Sequence, residues 1–161
     1  MGEILFDKGP IEASDILRVE GIFGVSLPES YKELVLHHDA PVFRENIFFF
    51  ENPYWSEDWS YVLADGKDSR DLNFLSVKPS FDNDFEKIHY HSDFFEEYER
   101  NVVPFGITAS GDYICFDYRE DPPGSCPSVV LVFHDMYDGN NRNLICRVAN
   151  SFDQLLGSLV G

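Results

Sequence analysis

Val129-Val130-Leu131-Val132-Phe133 is five apolar residues in a row with no polar alternation. A strand with one wet face alternates, so this β-branched run predicts a strand covered on both faces, at the centre of a sheet. Other strand-like runs accompany it: Val102 to Ile107, Tyr113 to Tyr118 after the Ser110-Gly111 turn, and Leu144 to Val148. Upstream, Asn46 to Phe50, Tyr61 to Leu63 and Asp71 to Leu75 have the same character. The Pro- and Gly-rich stretch from Asp121 to Ser128 lies between strands and reads as a loop within one sheet.

Helices bracket these strands. Ser14 to Phe23 reads as a helix ended by Gly24, whose freedom at positive φ suits a C-cap. A second is predicted from Leu27 to about His38, with Ser26 and Glu29 at capping-box spacing and Pro28 in the first turn. Leu27, Tyr31, Leu34 and Val35 form its apolar face, leaving Lys32, Glu33 and His37 outward. Ser92 is placed to cap a short helix through Arg100. Ser151 with Gln154 opens a last helix whose Phe152, Leu155, Leu156 and Leu159 share a face. The expectation is an α+β domain over residues 1–161, with a largely antiparallel sheet of about six strands flanked by N- and C-terminal helices.

Charge bounds the function. The 12 Lys and Arg against 29 Asp and Glu leave a formal net charge of −17. Nucleic acids and anionic membranes are disfavoured partners, because their binders need basic surfaces that displace counterions. A field of this sign attracts a basic protein and speeds the encounter. No basic region followed by an apolar run opens the chain, no stretch approaches the ~18 apolar residues of a membrane span, and the three cysteines are scattered. A reduced, cytoplasmic protein is expected, with Cys115 and Cys146 in the core and Cys126 in a loop.

The order of several segments resembles the SUKH superfamily, which includes the fungal Smi/Knr cell-wall regulators and many bacterial immunity proteins. The likeness runs through Ile16 to Glu20, Leu27-Pro28-x-x-Tyr31-Lys32, Val103-Pro104-Phe105-Gly106, Gly111-Asp112 leading into Phe116-Asp117, and Ala149 to Leu156. The chain departs from the family after the second helix, where an Asn-Gly-Gly-like turn is usual and His38-Asp39-Ala40-Pro41 stands instead. The resemblance implies a sheet partly wrapped by helices, Asp117 as part of the strand framework, and a binding protein rather than an enzyme.

Chemistry is scarce. No phosphate-cradling Gly-rich loop, nucleophile elbow or Cys-x-x-Cys pair is present, so no catalytic, cofactor or metal residue is assigned. His89-x-His91 with Asp93 lacks a third ligand and second shell for zinc. Asp82-x-Asp84-x-Glu86 is followed by Lys87 where a calcium loop needs Gly. Asp112 is accounted for by turn chemistry rather than as half of a carboxylate acid–base pair with Asp117.

The candidate partner-binding residues are Trp55, Glu57, Asp58, Trp59, Tyr61, Asp65 and Asp68, aromatic anchors with a charged periphery. Aromatic residues make up 16% of the chain and a core needs them, so the tryptophans have a competing place inside. A second acidic group is Asp82, Asp84, Glu86, Glu96, Glu97 and Glu99, which also reads as a solvated surface. Charge and resemblance together point to an immunity-type protein that neutralises a cognate basic, nuclease-like toxin. The alternatives are a Smi/Knr-like intracellular scaffold and an uncharacterised enzyme.

Overall fold

The computed structural model describes residues 2–54, 67–79, 84–85, 101–120, 124 and 126–161. Its main element is an antiparallel sheet of β5 (Asn73–Phe74), β6 (Val102–Ile107), β7 (Tyr113–Asp117), β8 (Ser128–Tyr137) and β9 (Asn143–Ala149), in that spatial order. Val129 to Phe133 lie on β8 between two hydrogen-bonded neighbours, and all five side chains are buried, as the unbroken apolar run predicts. Cys115 and Cys146 are core residues and Cys126 is exposed. Two antiparallel ribbons complete the described strands, β1 (Ile4–Phe6) with β2 (Val42–Phe43) and β3 (Ile47–Glu51) with β4 (Lys67–Asp71). The architecture is α+β.

The predicted strand from Asp71 to Leu75 divides between two sheets. Asp71 ends β4, the Leu72 amide donates to the Asn46 carbonyl at 2.8 Å, and Asn73 and Phe74 pair with Ile107 and Gly106 of β6. This crossing requires close approach. A Cβ on Gly106 would lie 2.8 Å from Leu72 Cδ1 and 3.2 Å from the Asn73 carbonyl oxygen, so any larger residue would push β5 away.

Three helices lie among the described residues. α1 (Ala13–Phe23) ends at Gly24 with φ +68°, the left-handed cap expected there. α2 (Glu29–His37) begins two residues later than Leu27. Glu20 explains the delay, because its Oε2 accepts the Leu27 amide at 2.7 Å and Pro28, at φ −57° and ψ 138°, becomes the cap in place of Ser26. In α3 (Phe152–Ser158) Ser151 Oγ accepts the Gln154 amide, while Gln154 Oε1 reaches one residue beyond the cap to the Asn150 amide. The turn after α2 carries Ala40 at φ +47°, a conformation that glycine would adopt without steric cost. Asp39, buried beside it, accepts Ser76 Oγ and the Val77 amide at 2.7 and 2.8 Å and holds that turn onto the body.

The apolar face of α2 closes the core. Tyr31 meets Phe105, Phe116 and Phe152 edge-on at centroid distances of 5.9, 5.2 and 5.5 Å, joining α2, β6, β7 and α3. Its hydroxyl is buried, with no hydrogen-bond partner among the described residues. Leaving that group desolvated costs about 1–3 kcal/mol. Tyr31→Phe is therefore expected to raise stability by about 1 kcal/mol in urea unfolding; a loss of that size would reveal a partner for the hydroxyl.

Candidate functional site

On β3, Phe48 and Phe50 point into the core, and residues directly opposite in a sheet share a face. Across the ribbon Phe50 faces Asp68 and Phe48 faces Arg70, so β4 sends two charged side chains to the covered side while Lys67 and Ser69 stay exposed. The Asp68 and Arg70 side chains are only 2% and 13% exposed. Charges so placed must be paired and hydrogen-bonded, since isolated burial costs several kcal/mol per ion.

They are paired. Arg70 donates from one terminal nitrogen to Asp68 Oδ1 at 2.7 Å and to the Ser69 carbonyl at 2.8 Å, and from Nε to Asp112 Oδ2 at 3.1 Å. Its guanidinium carbon lies 5.8 and 5.9 Å from the ring centroids of Phe50 and Phe133, within cation–π range of both. Asn52 donates to the second Asp68 oxygen. Asp112 reaches the group through the expected turn, where Gly111 at φ +100° lets the Asp112 amide bond back to Thr108 Oγ1 at 3.0 Å. Asp112 Oδ1 then accepts the His134 amide at 3.1 Å and His134 Nδ1 at 2.6 Å, while Oδ2 also accepts Ser110 Oγ. Three distant pieces of chain, 68–70, 108–112 and 133–135, meet at one ion cluster.

The sequence profile of the SMI1/KNR4 family (SUKH-1) matches residues 10–158 of this fold. The chain belongs to the SMI1/KNR4 family. No curated protein matches it. The stretches that carry the SUKH resemblance occupy α1, the start of α2, β6, the turn into β7, and α3.

In this SMI1/KNR4 chain the residues predicted to bind a partner fall into two groups. Trp55, Glu57, Asp58, Trp59, Tyr61 and Asp65 lie outside the described residues, as do His89, His91, Asp93, Asp82 and Glu86. Asp68 is described and is held inside the chain by Arg70 and Asn52. Tyr54 donates its hydroxyl to the Ile145 carbonyl at 2.9 Å and packs its ring 5.9 Å from that of Phe133, while Lys67 pairs with Glu51. Tyr54 is thus fixed against β8 and β9, and Lys67 against β3.

The ion cluster of this family member is built for holding rather than for reaction. Ser110 bonds to the carboxylate and not to the imidazole, so His134 does not activate it as a nucleophile. Asp112, His134 and Asp135 bring three potential ligand atoms within 4.8 Å of one another. Both Asp112 oxygens are already taken by donors, and the Arg70 guanidinium occupies the place of a cation. Asp112, just before β7, and Asp117 at its end lie five residues apart, about 16 Å at strand rise, too far for a carboxylate acid–base pair. Asp117 instead grips Arg119 through two hydrogen bonds of 2.9 Å. Arg70 and His134 went unnoticed in the sequence; the available signal was Asp68 and Arg70 at a spacing of two, on one face of a strand.

Burial pushes the Asp112 carboxyl up, but hydrogen bonds from His134, Arg70 and Ser110 outweigh it and hold the group below its ordinary 3.8. Burial likewise opposes the Arg70 cation, and the Asp112 and Asp68 carboxylates more than offset it. A depressed carboxyl stabilises the fold fully above its unfolded value and loses that contribution as pH falls through the folded value. Stability is thus expected to decline below pH 3.8. In Asp112→Asn this part of the acid dependence should flatten, as read by urea midpoints from about pH 5 to about pH 2.

Proposed function

We propose that this SMI1/KNR4-family chain is an immunity-type protein that binds and neutralises a cognate bacterial toxin of basic, nuclease-like character in the cytoplasm. The observation that carries the reading is a net charge of −17 in a chain of this family. Such a surface repels nucleic acid and draws a cationic protein, and acidic side chains take the place of phosphates in a nuclease groove. Among the described residues no helix is long and apolar enough to cross a membrane. Trp55, Trp59 and Tyr61 are the proposed anchors and Glu57, Asp58 and Asp65 the charged rim. Asp68, bound by Arg70, contributes by fixing the strand that follows them.

The test is co-expression with the C-terminal domain encoded by the adjacent gene. Rescue of host growth, with a complex that co-purifies and weakens in salt, is the expected result. A toxic neighbour that is neither bound nor neutralised removes cognate immunity to it, and the scaffold reading is then pursued by unbiased pull-down.

A further inference from the structure

Beside the ion cluster a cleft of about 360 Å³ opens to solvent, with Phe133 and Met136 among its walls and His134 and Asp135 at its margin. Asp112 is ionised and can only accept, so the hydrogen shared at 2.6 Å belongs to His134 Nδ1. In the neutral imidazole this leaves a lone pair on Nε2, for which no protein donor lies among the described residues. The ring is 43% exposed and the Asp135 carboxylate 66% exposed, 3.9 Å from Nδ1. Among the described residues that line the cleft, Asp112 and Asp135 outnumber Arg70, so it carries one formal negative charge while His134 is neutral. Arg70 adds little repulsion, because two carboxylates already bind it.

We infer that this cleft receives a single lysine or arginine side chain of a protein partner, which donates to His134 Nε2 and the Asp135 carboxylate while its methylenes lie against Met136. Long cationic side chains suit such a place, with an apolar stem and a paired head. Tyr137, 54% exposed on the same strand, is a neighbouring aromatic contact. The inference names the chemistry of the partner in the immunity reading and rests on that reading only for the partner being a protein.

The deciding probe is the tripeptide acetyl-Gly-Arg-Gly-amide, titrated into the whole protein and followed by amide and imidazole NMR signals. Saturable shifts centred on His134, Asp135 and Met136 are expected, with affinity weakened about fivefold in Asp135→Asn, the upper range of an exposed ion pair. The norleucine analogue should leave them unmoved. A diffuse drift over all acidic residues, equal in wild type and Asp135→Asn, overturns the inference, as does Zn²⁺ alone binding there when the tripeptide does not. A toxin neutralised equally by wild type and Asp135→Lys also removes the cleft as docking point and leaves immunity standing. Failure to neutralise any neighbouring toxin, with the tripeptide still bound, removes immunity and leaves the cleft.

Discussion

Replacing Arg70 with Met is expected to cost about 3–5 kcal/mol of folding stability, because it leaves two carboxylates, each 2% exposed, without their shared cation. The methionine fills much of the same space between Phe50 and Phe133, so the loss reports charge rather than volume. Adding Asp68→Asn and Asp112→Asn to the same chain should restore most of that loss, since a neutral group no longer needs a counterion. Arg70→Lys should fall between, as one ammonium cannot reproduce the separate Nε and terminal-nitrogen bonds. Urea midpoints of the four proteins decide the matter, and a loss under about 1 kcal/mol in Arg70→Met would mean that solvent already screens the cluster.

Trp55→Ala or Trp59→Ala is expected to weaken the complex with the cognate toxin by at least ~2 kcal/mol while the free protein keeps its urea midpoint. A tryptophan at the centre of an interface loses its whole desolvated pocket on truncation, whereas one folded into the core would carry its loss into stability instead. Unfolding of both variants would therefore place the tryptophans inside. Changing Glu57, Asp58 and Asp65 to their amides should mainly slow association and flatten its salt dependence, because rim charges act on encounter more than on the final contact. Stopped-flow association at two salt concentrations separates the two effects.

Much of the fold was legible because its signals are local. Gly24 ended α1 as predicted, Val102 to Ile107 formed a strand with those limits, and Ser151 capped α3. The start of α2 was misjudged because Glu20, seven residues before Leu27, accepts the Leu27 amide while Pro28 stays extended and becomes the cap in place of Ser26. The division of 71–75 was invisible because the run is continuous in character, and the switch at Leu72 is set by where Asn46 and Gly106 lie. The ion cluster was the least legible part. Asp112 could be read as a turn residue, but its partners stand 42 and 22 residues away in sequence, and no spacing rule links an arginine on one ribbon to a histidine on β8.

The long sequence separations within the cluster also set when it forms. Arg70 cannot reach Asp112 until the β3–β4 ribbon has docked on the sheet, and His134 cannot until β7 and β8 are paired. Loop-closure entropy delays the Arg70 contact relative to the β6–β9 meander, which itself brings His134 to Asp112. The cluster therefore acts as a late latch whose strength governs how slowly the native protein opens, so its loss shortens native-state lifetime and leaves the refolding rate nearly unchanged.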